Sequence, residues 1–133
     1  MNQSVLHDTL VQCATHCREF VYENRCDARL DGESIILSID CAELCCQTAV
    51  LHRNGSTRTA AVARQCIRTC ESLLKQLSYS ADLSTHQLAD ECKQALRGCR
   101  TIVEKTMARD QPTQVIPATV CYGIQVPAGV YPA

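Results

Sequence analysis

The sequence predicts an all-α protein, an antiparallel up-down four-helix bundle followed by an extended C-terminal tail. Three observations carry that expectation. Apolar and cysteine residues recur at steps of three and four along four segments of roughly 20 residues each. Short turns join the segments, and helices joined by short turns pack as antiparallel neighbours. Aromatic residues make up 4% of the chain against 46% hydrophobic residues. A core so poor in aromatics is filled by small and aliphatic side chains, which suits closely packed helices. At 133 residues the chain is one domain in size, read as a bundle over 1–110 and a tail over 111–133.

The first segment covers about residues 5–24, with Leu6, Leu10, Cys13, Cys17 and Phe20 on one face. The stretch CDARLDG, with Gly32, separates it from a second segment over 34–53. There Leu37, Cys41, Leu44, Cys45 and Thr48 share a face. Asn54-Gly55 stops it, because glycine takes the left-handed conformation after a helix at little cost. Ser56 opens the third segment, which reaches Leu77 through Val62, Cys66, Cys70 and Leu73. Ser84 with Gln87 three residues on has the pattern of a capping box. It starts the fourth segment, to about residue 109, through Leu88, Cys92, Ala95, Leu96, Cys99 and Val103. All four prolines fall after residue 110, in a stretch rich in β-branched residues that cannot continue a helix.

Eleven cysteines are unusual in so short a chain. Eight of them form four same-helix pairs: Cys13 with Cys17, Cys41 with Cys45, Cys66 with Cys70, and Cys92 with Cys99. Spacings of four and seven keep both members of a pair on one helix face. Each pair also sits near the middle of its segment, and in an antiparallel bundle mid-helix positions meet at one depth. At ~1.5 Å rise per residue the eight belong to a central band roughly 10 Å tall.

Disulfides within a helix do not fit these pairs. Side chains four apart hold their Cβ atoms about 5–6 Å apart, whereas a disulfide needs about 3.8 Å. Bridges between helices stay open. One zinc ion is too few for four thiol pairs, and structural zinc mostly uses closer spacings on turns. A soft thiolate cluster favours a soft ion, and Cu(I) is the natural candidate. The competing reading is packing alone, since a free cysteine also behaves as a small buried hydrophobe.

The remaining chemistry is sparse. A net charge of −1 gives no general attraction to nucleic acid or an anionic membrane. The start MNQSVLHDTLVQC lacks the basic-then-apolar pattern of a secretory signal. The most apolar piece, around Ile35, Ile36 and Leu37, is short for a membrane span. The expected location is therefore the cytosol, where thiols stay reduced. Cys46 points about 100° away from Cys45, toward a helix seam or an oligomer contact. Cys26 and Cys121 lie in the first linker and the tail. His7, His16, His52 and His86 are candidate ligands near the bundle ends, His52 and His86 above all. Asp40, Glu43, Glu91 and Glu104 read as solvated helix faces. No phosphate loop, CxxC redox motif or di-iron Glu-x-x-His is present, so no enzyme is expected.

The stretch DCAELCCQTAVLHRNGS, with CIRTC in the third segment and ECKQALRGC in the fourth, resembles the cysteine-rich four-helix-bundle family of bacterial copper storage proteins. The likeness covers about residues 5–107. It implies a bundle core lined with thiolates that bind many Cu(I) ions, with Cys13, Cys17, Cys41, Cys45, Cys66, Cys70, Cys92 and Cys99 as ligands. This chain departs from the family at Phe20, Asn24, Leu73, Leu96 and Val103, where relatives continue their cysteine ladders. Two functions compete: a cytosolic Cu(I) store with a smaller cluster, and a non-metal bundle that acts as an interaction or assembly module. A thiol redox sensor using Cys26, Cys46 or Cys121 is a third.

The tail carries Val115, Ile116, Val120, Tyr122, Ile124 and Val126. It is too apolar for a free arm, since disordered tails are polar and charged. It is therefore expected to pack on a bundle face or on a neighbouring subunit of a homo-oligomer, a dimer or tetramer. Truncation after Asp110 is expected to lower the particle mass in light scattering. An unchanged mass removes the tail from the assembly.

Overall fold

The computed structural model describes residues 2–26, 32–80 and 82–110. Four helices run in order: α1 Gln3–Asn24, α2 Gly32–Arg53, α3 Thr59–Leu77 and α4 Leu83–Asp110. They form an all-α four-helix bundle, and the described residues contain no strand. The compact unit that carries the eight paired cysteines is Met1–Val103. A second unit begins at Glu104, inside α4. The expected tail, with Cys121, lies outside the described residues.

Local sequence sets where each helix starts and stops. Asn2 caps α1 by accepting a hydrogen bond from the Val5 amide at 2.9 Å. The end of α2 is a Schellman motif. The Gly55 N–H donates to the His52 carbonyl and the Ser56 N–H to the Leu51 carbonyl. Gly55 takes a φ of 69° there, in the left-handed region. Ser56 then makes a short turn, accepting from the Arg58 amide through its hydroxyl and from Thr59 through its carbonyl, and α3 starts at Thr59. The fourth helix begins at Leu83, just before the expected Ser84. The Thr85 hydroxyl and the His86 amide both donate to the Asp82 carbonyl, while Ser84 is exposed in the first turn.

The buried faces follow one rule. In α1 the inward line is Leu6, Leu10, Cys13, Cys17 and Phe20. In α2 it is Ser34, Ser38, Cys41, Cys45 and Thr48. In α3 it is Thr59, Ala63, Cys66, Cys70, Leu73 and Leu77. In α4 it includes Thr85, Leu88, Cys92, Ala95, Cys99 and Ile102. All four advance by alternating steps of three and four, the seam of nearly parallel packed helices. Two expected faces are turned slightly from the sequence reading. Leu37 and Leu44 flank the core instead of filling it, and Val62 is half-buried while Ala63 is buried. The cause is the thiol line: with Cys41 and Cys45 facing the axis, Ser34 and Ser38 share their seam.

Two buried hydroxyls on the α2 seam are paired along their own helix. Ser38 donates to the Ser34 carbonyl at 2.8 Å and Thr48 to the Leu44 carbonyl at 2.7 Å. They therefore enter the core without the desolvation cost of an unpaired group.

The outer side of α2 differs from the sequence reading. The helix is long and apolar enough, by length and composition, to cross a membrane. The Ile35 to Leu37 stretch understated this, because cysteine and alanine add to the apolar content along the whole helix. Ile36, Ile39 and Val50 are exposed on its outer side, while its cysteine face is buried against the other helices.

Gly55 is open to a direct check. A Cβ there would meet nothing within 4 Å, so only the left-handed backbone resists one. Gly55→Ala is expected to destabilise the bundle by about 1 kcal/mol, and Gly55→Asn by less, in thermal or denaturant unfolding.

Candidate metal centre

Each cysteine pair sits where the seam crosses the middle of its helix, so the four helices deliver sulfur to one central region. All eight paired cysteines, Cys13, Cys17, Cys41, Cys45, Cys66, Cys70, Cys92 and Cys99, have 0% exposure. The band expected from the sequence therefore exists.

The sulfurs form two linked groups. Cys13, Cys17, Cys41 and Cys92 bring their Sγ atoms within 4.8 Å of one another, and Cys41, Cys45 and Cys70 do the same. Cys41 belongs to both. Across the α2–α3 seam, Cys41 Sγ lies 3.6 Å from Cys70 Sγ, and Cys45 Sγ lies 3.6 Å from Cys66 Sγ. Along each of these helices the sulfurs are 4.0 Å apart. The four make a closed ring of thiol contacts. An ion bound to two thiolates at about 2.3 Å each spans at most ~4.6 Å between sulfurs, so every side of the ring fits a bridging ion.

Cys99 stands apart from both groups, although it neighbours Cys66. The spacing explains this. Members of the other pairs are separated by about 6 Å along the axis, but positions seven apart are separated by about 10.5 Å. Ala95 occupies the level between Cys92 and Cys99 on α4.

Apolar residues close the band at both ends. Leu6, Leu10, Ala49, Ala63 and Ile102 lie on one side. Phe20, Leu73, Leu77 and Leu88 lie on the other. Phe20 and Leu73 have 3% and 0% exposure there. They fill the seam next to the sulfur band. Leu96 is also buried, Val103 is half-buried, and the Asn24 side chain bonds the Phe20 carbonyl at 2.8 Å.

The contacts set the protonation pattern. Thiol contacts, first from Cys17, hold the Cys13 thiol down to about 6 from its ordinary 9.0. Cys41 is lowered by S–H donation, first from Cys13 and then from Cys17, Cys45 and Cys70. Cys66 is lowered, first by Cys45. Their partners are pushed up: Cys17 and Cys45 first by Cys13, Cys70 by Cys41, Cys92 by Cys13 and Cys99 by Cys66, with burial adding to each. On α1, α2 and α3 each pair thus joins one acidic thiol to one that keeps its proton.

The other candidates fall elsewhere. Cys26 is exposed and Cys46 half-buried. Cys46 sits at the α1–α2 seam, where Arg18 Nη2 donates to its sulfur at 3.5 Å. No histidine joins a sulfur group among the described residues. His86 is exposed near the start of α4. His7 and His52 line one cavity between the start of α1 and the end of α2. His16 lies beside the band and not at a bundle end. Its Nδ1 is 3.5 Å from a Glu91 carboxylate oxygen but is not aligned for a hydrogen bond. Glu91 is therefore half-buried against α1, whereas Asp40, Glu43 and Glu104 are exposed as expected.

A family model described as copper storage protein matches residues 1–104. No curated protein and no solved structure matches the chain.

The band is built from self-contacting thiols between apolar layers, so the bundle should fold without metal. Circular dichroism of the reduced, chelator-treated protein is expected to show a mainly helical fold. Cys41→Ser with Cys45→Ser should cost about 1–3 kcal/mol in that metal-free state, at the low end if the hydroxyls bond back along α2 as Ser38 and Thr48 do.

Proposed function

The chain belongs to the copper storage protein family, and from that premise we propose that it sequesters copper as Cu(I) on its eight core thiols. The observation that carries this reading is the convergence of two sulfur groups on Cys41 in a layer without solvent exposure. Packing alone needs small apolar side chains at these positions and would be served by alanine. It gives no reason for eight sulfurs to meet at one depth.

Oxidation state follows from the donor set. Thiolate sulfur is soft, Cu(I) is the soft form of copper, and low coordination numbers let two sulfurs hold one ion. A single zinc ion on Cys13, Cys17, Cys41 and Cys92 would leave Cys45, Cys66, Cys70 and Cys99 without metal. The interrupted ladder limits the cluster to the central band, so its capacity is small beside a core lined from end to end. The protein's role is storage without turnover, in the cytoplasm, where the thiols stay reduced. It acts as a homo-oligomer, with the exposed apolar side of α2 and the tail as contact surfaces, and needs neither nucleic acid nor a membrane.

Titration of the reduced protein with Cu(I) against a competing chelator tests the reading. Several ions per chain are expected to bind. Cys41→Ser with Cys45→Ser should lower uptake by more than two thiols' share, since Cys41 serves both groups, and Cys26→Ser with Cys46→Ser should leave it unchanged. A chain that takes no Cu(I) would instead be the interaction module. Loading must also release protons, at least from Cys17, Cys45, Cys70, Cys92 and Cys99, whose thiols are held protonated. Uptake should therefore weaken as pH falls.

A further inference from the structure

We propose that the core is also a reductant: Cys41 with Cys70, and Cys45 with Cys66, each reduce two Cu(II) ions to Cu(I) while closing to a disulfide between α2 and α3. The proposal rests on the copper reading for the access of the ion to the band, and adds an activity to it.

Geometry selects these pairs. Their sulfurs are 3.6 Å apart across the helix seam. Within α2 and within α3 the sulfurs are 4.0 Å apart, and the helix backbone keeps those Cβ atoms about 5–6 Å from each other. A disulfide needs Cβ atoms about 3.8 Å apart and an S–S bond of about 2.05 Å. Only side chains on facing helices can close that gap by turning about χ1 and shifting the seam slightly. The two rungs are separate, so one can close without the other.

Burial selects the oxidant. All four thiols have 0% exposure. An organic disulfide would have to place its own sulfur in line with a buried thiolate to exchange, and the apolar layers leave no room for it. A copper ion needs only the path that Cu(I) uses.

The step balances. In each pair the sulfurs react as thiolates, and whatever protons they still hold leave to solvent. Each sulfur gives one electron to one Cu(II), the S–S bond forms, and two Cu(I) result. If both rungs close, four thiols are consumed and four Cu(I) are made. Cys13, Cys17, Cys92 and Cys99 remain to hold them, so a protein loaded with Cu(II) should end with a smaller copper content than one loaded with Cu(I).

The test uses the full chain with Cys26, Cys46 and Cys121 replaced by Ser, reduced and metal-free, mixed with Cu(II) sulfate under anaerobic conditions. Cu(I) is read with a cuprous chelator, thiols by alkylation in denaturant, and disulfides by peptide mapping with fragmentation. Two Cu(I) per disulfide are expected, with the bridges at Cys41–Cys70 and Cys45–Cys66. Cys70→Ser should halve both the Cu(I) yield and the thiols lost. Unreduced Cu(II), bridges within a helix, or bridges involving the α1 or α4 cysteines would overturn the proposal. A parallel Cu(I) titration separates it from storage. Uptake without reduction removes the reductant alone, and reduction without uptake removes the store and leaves the reductant standing.

Discussion

The meeting of sulfurs from four helices at one depth is the constraint on which the rest of this structure depends. Cys41 touches Cys70 at 3.6 Å and shares a second group with Cys13, Cys17 and Cys92. That requires helices close together and turned so that their cysteine lines face the axis. Sulfur is small enough to allow it, and the alanines on the same seams, Ala63 and Ala95, help. A tryptophan in this layer would push the helices apart. The scarcity of aromatics is thus a condition of the sulfur layer and not a separate feature of composition.

Stability and chemistry are divided along the bundle axis. Leucines, Phe20 and Ile102 supply apolar burial above and below the band, where large-to-small changes would cost several kcal/mol. The band, made of smaller side chains, contributes less burial per residue. The same apolar layers keep solvent from the thiols. They also limit what reaches them to ions or to molecules that open the bundle. Phe20 and Leu73 close one end of the band.

The second helix carries two demands at once. Its inner face supplies Cys41 and Cys45 and two hydroxyl residues that bond back along the helix. Its outer side exposes Ile36, Ile39 and Val50. An apolar exterior on the helix that carries Cys41, the sulfur common to both groups, ties any partner surface to the site mechanically. A partner that shifts α2 would change the α2–α3 sulfur distances, and with them both metal affinity and the ease of closing a disulfide.

The sequence by itself determined the number of helices, their approximate limits, the stop at Asn54-Gly55 and the inward direction of all eight paired cysteines. These follow from periods of three and four and from the backbone freedom of glycine, which are local properties. Rotation of each helix about its own axis was less legible. Leu37 and Leu44 were expected inside, yet Ser34 and Ser38 took the inner line, because the facing helices decide the rotation and the serines could satisfy their hydroxyls within the helix. The apolar content of α2 over its whole length was understated because cysteine and alanine add hydropathy without forming an evident run. Which sulfurs meet was decided only by the tertiary structure. Spacing along one chain fixes a face and a depth, but not which face of the neighbouring helix lies opposite. The role of Cys41 in both groups and the 3.6 Å contacts to α3 arise from helix packing, since distances across a seam are set by two helices together.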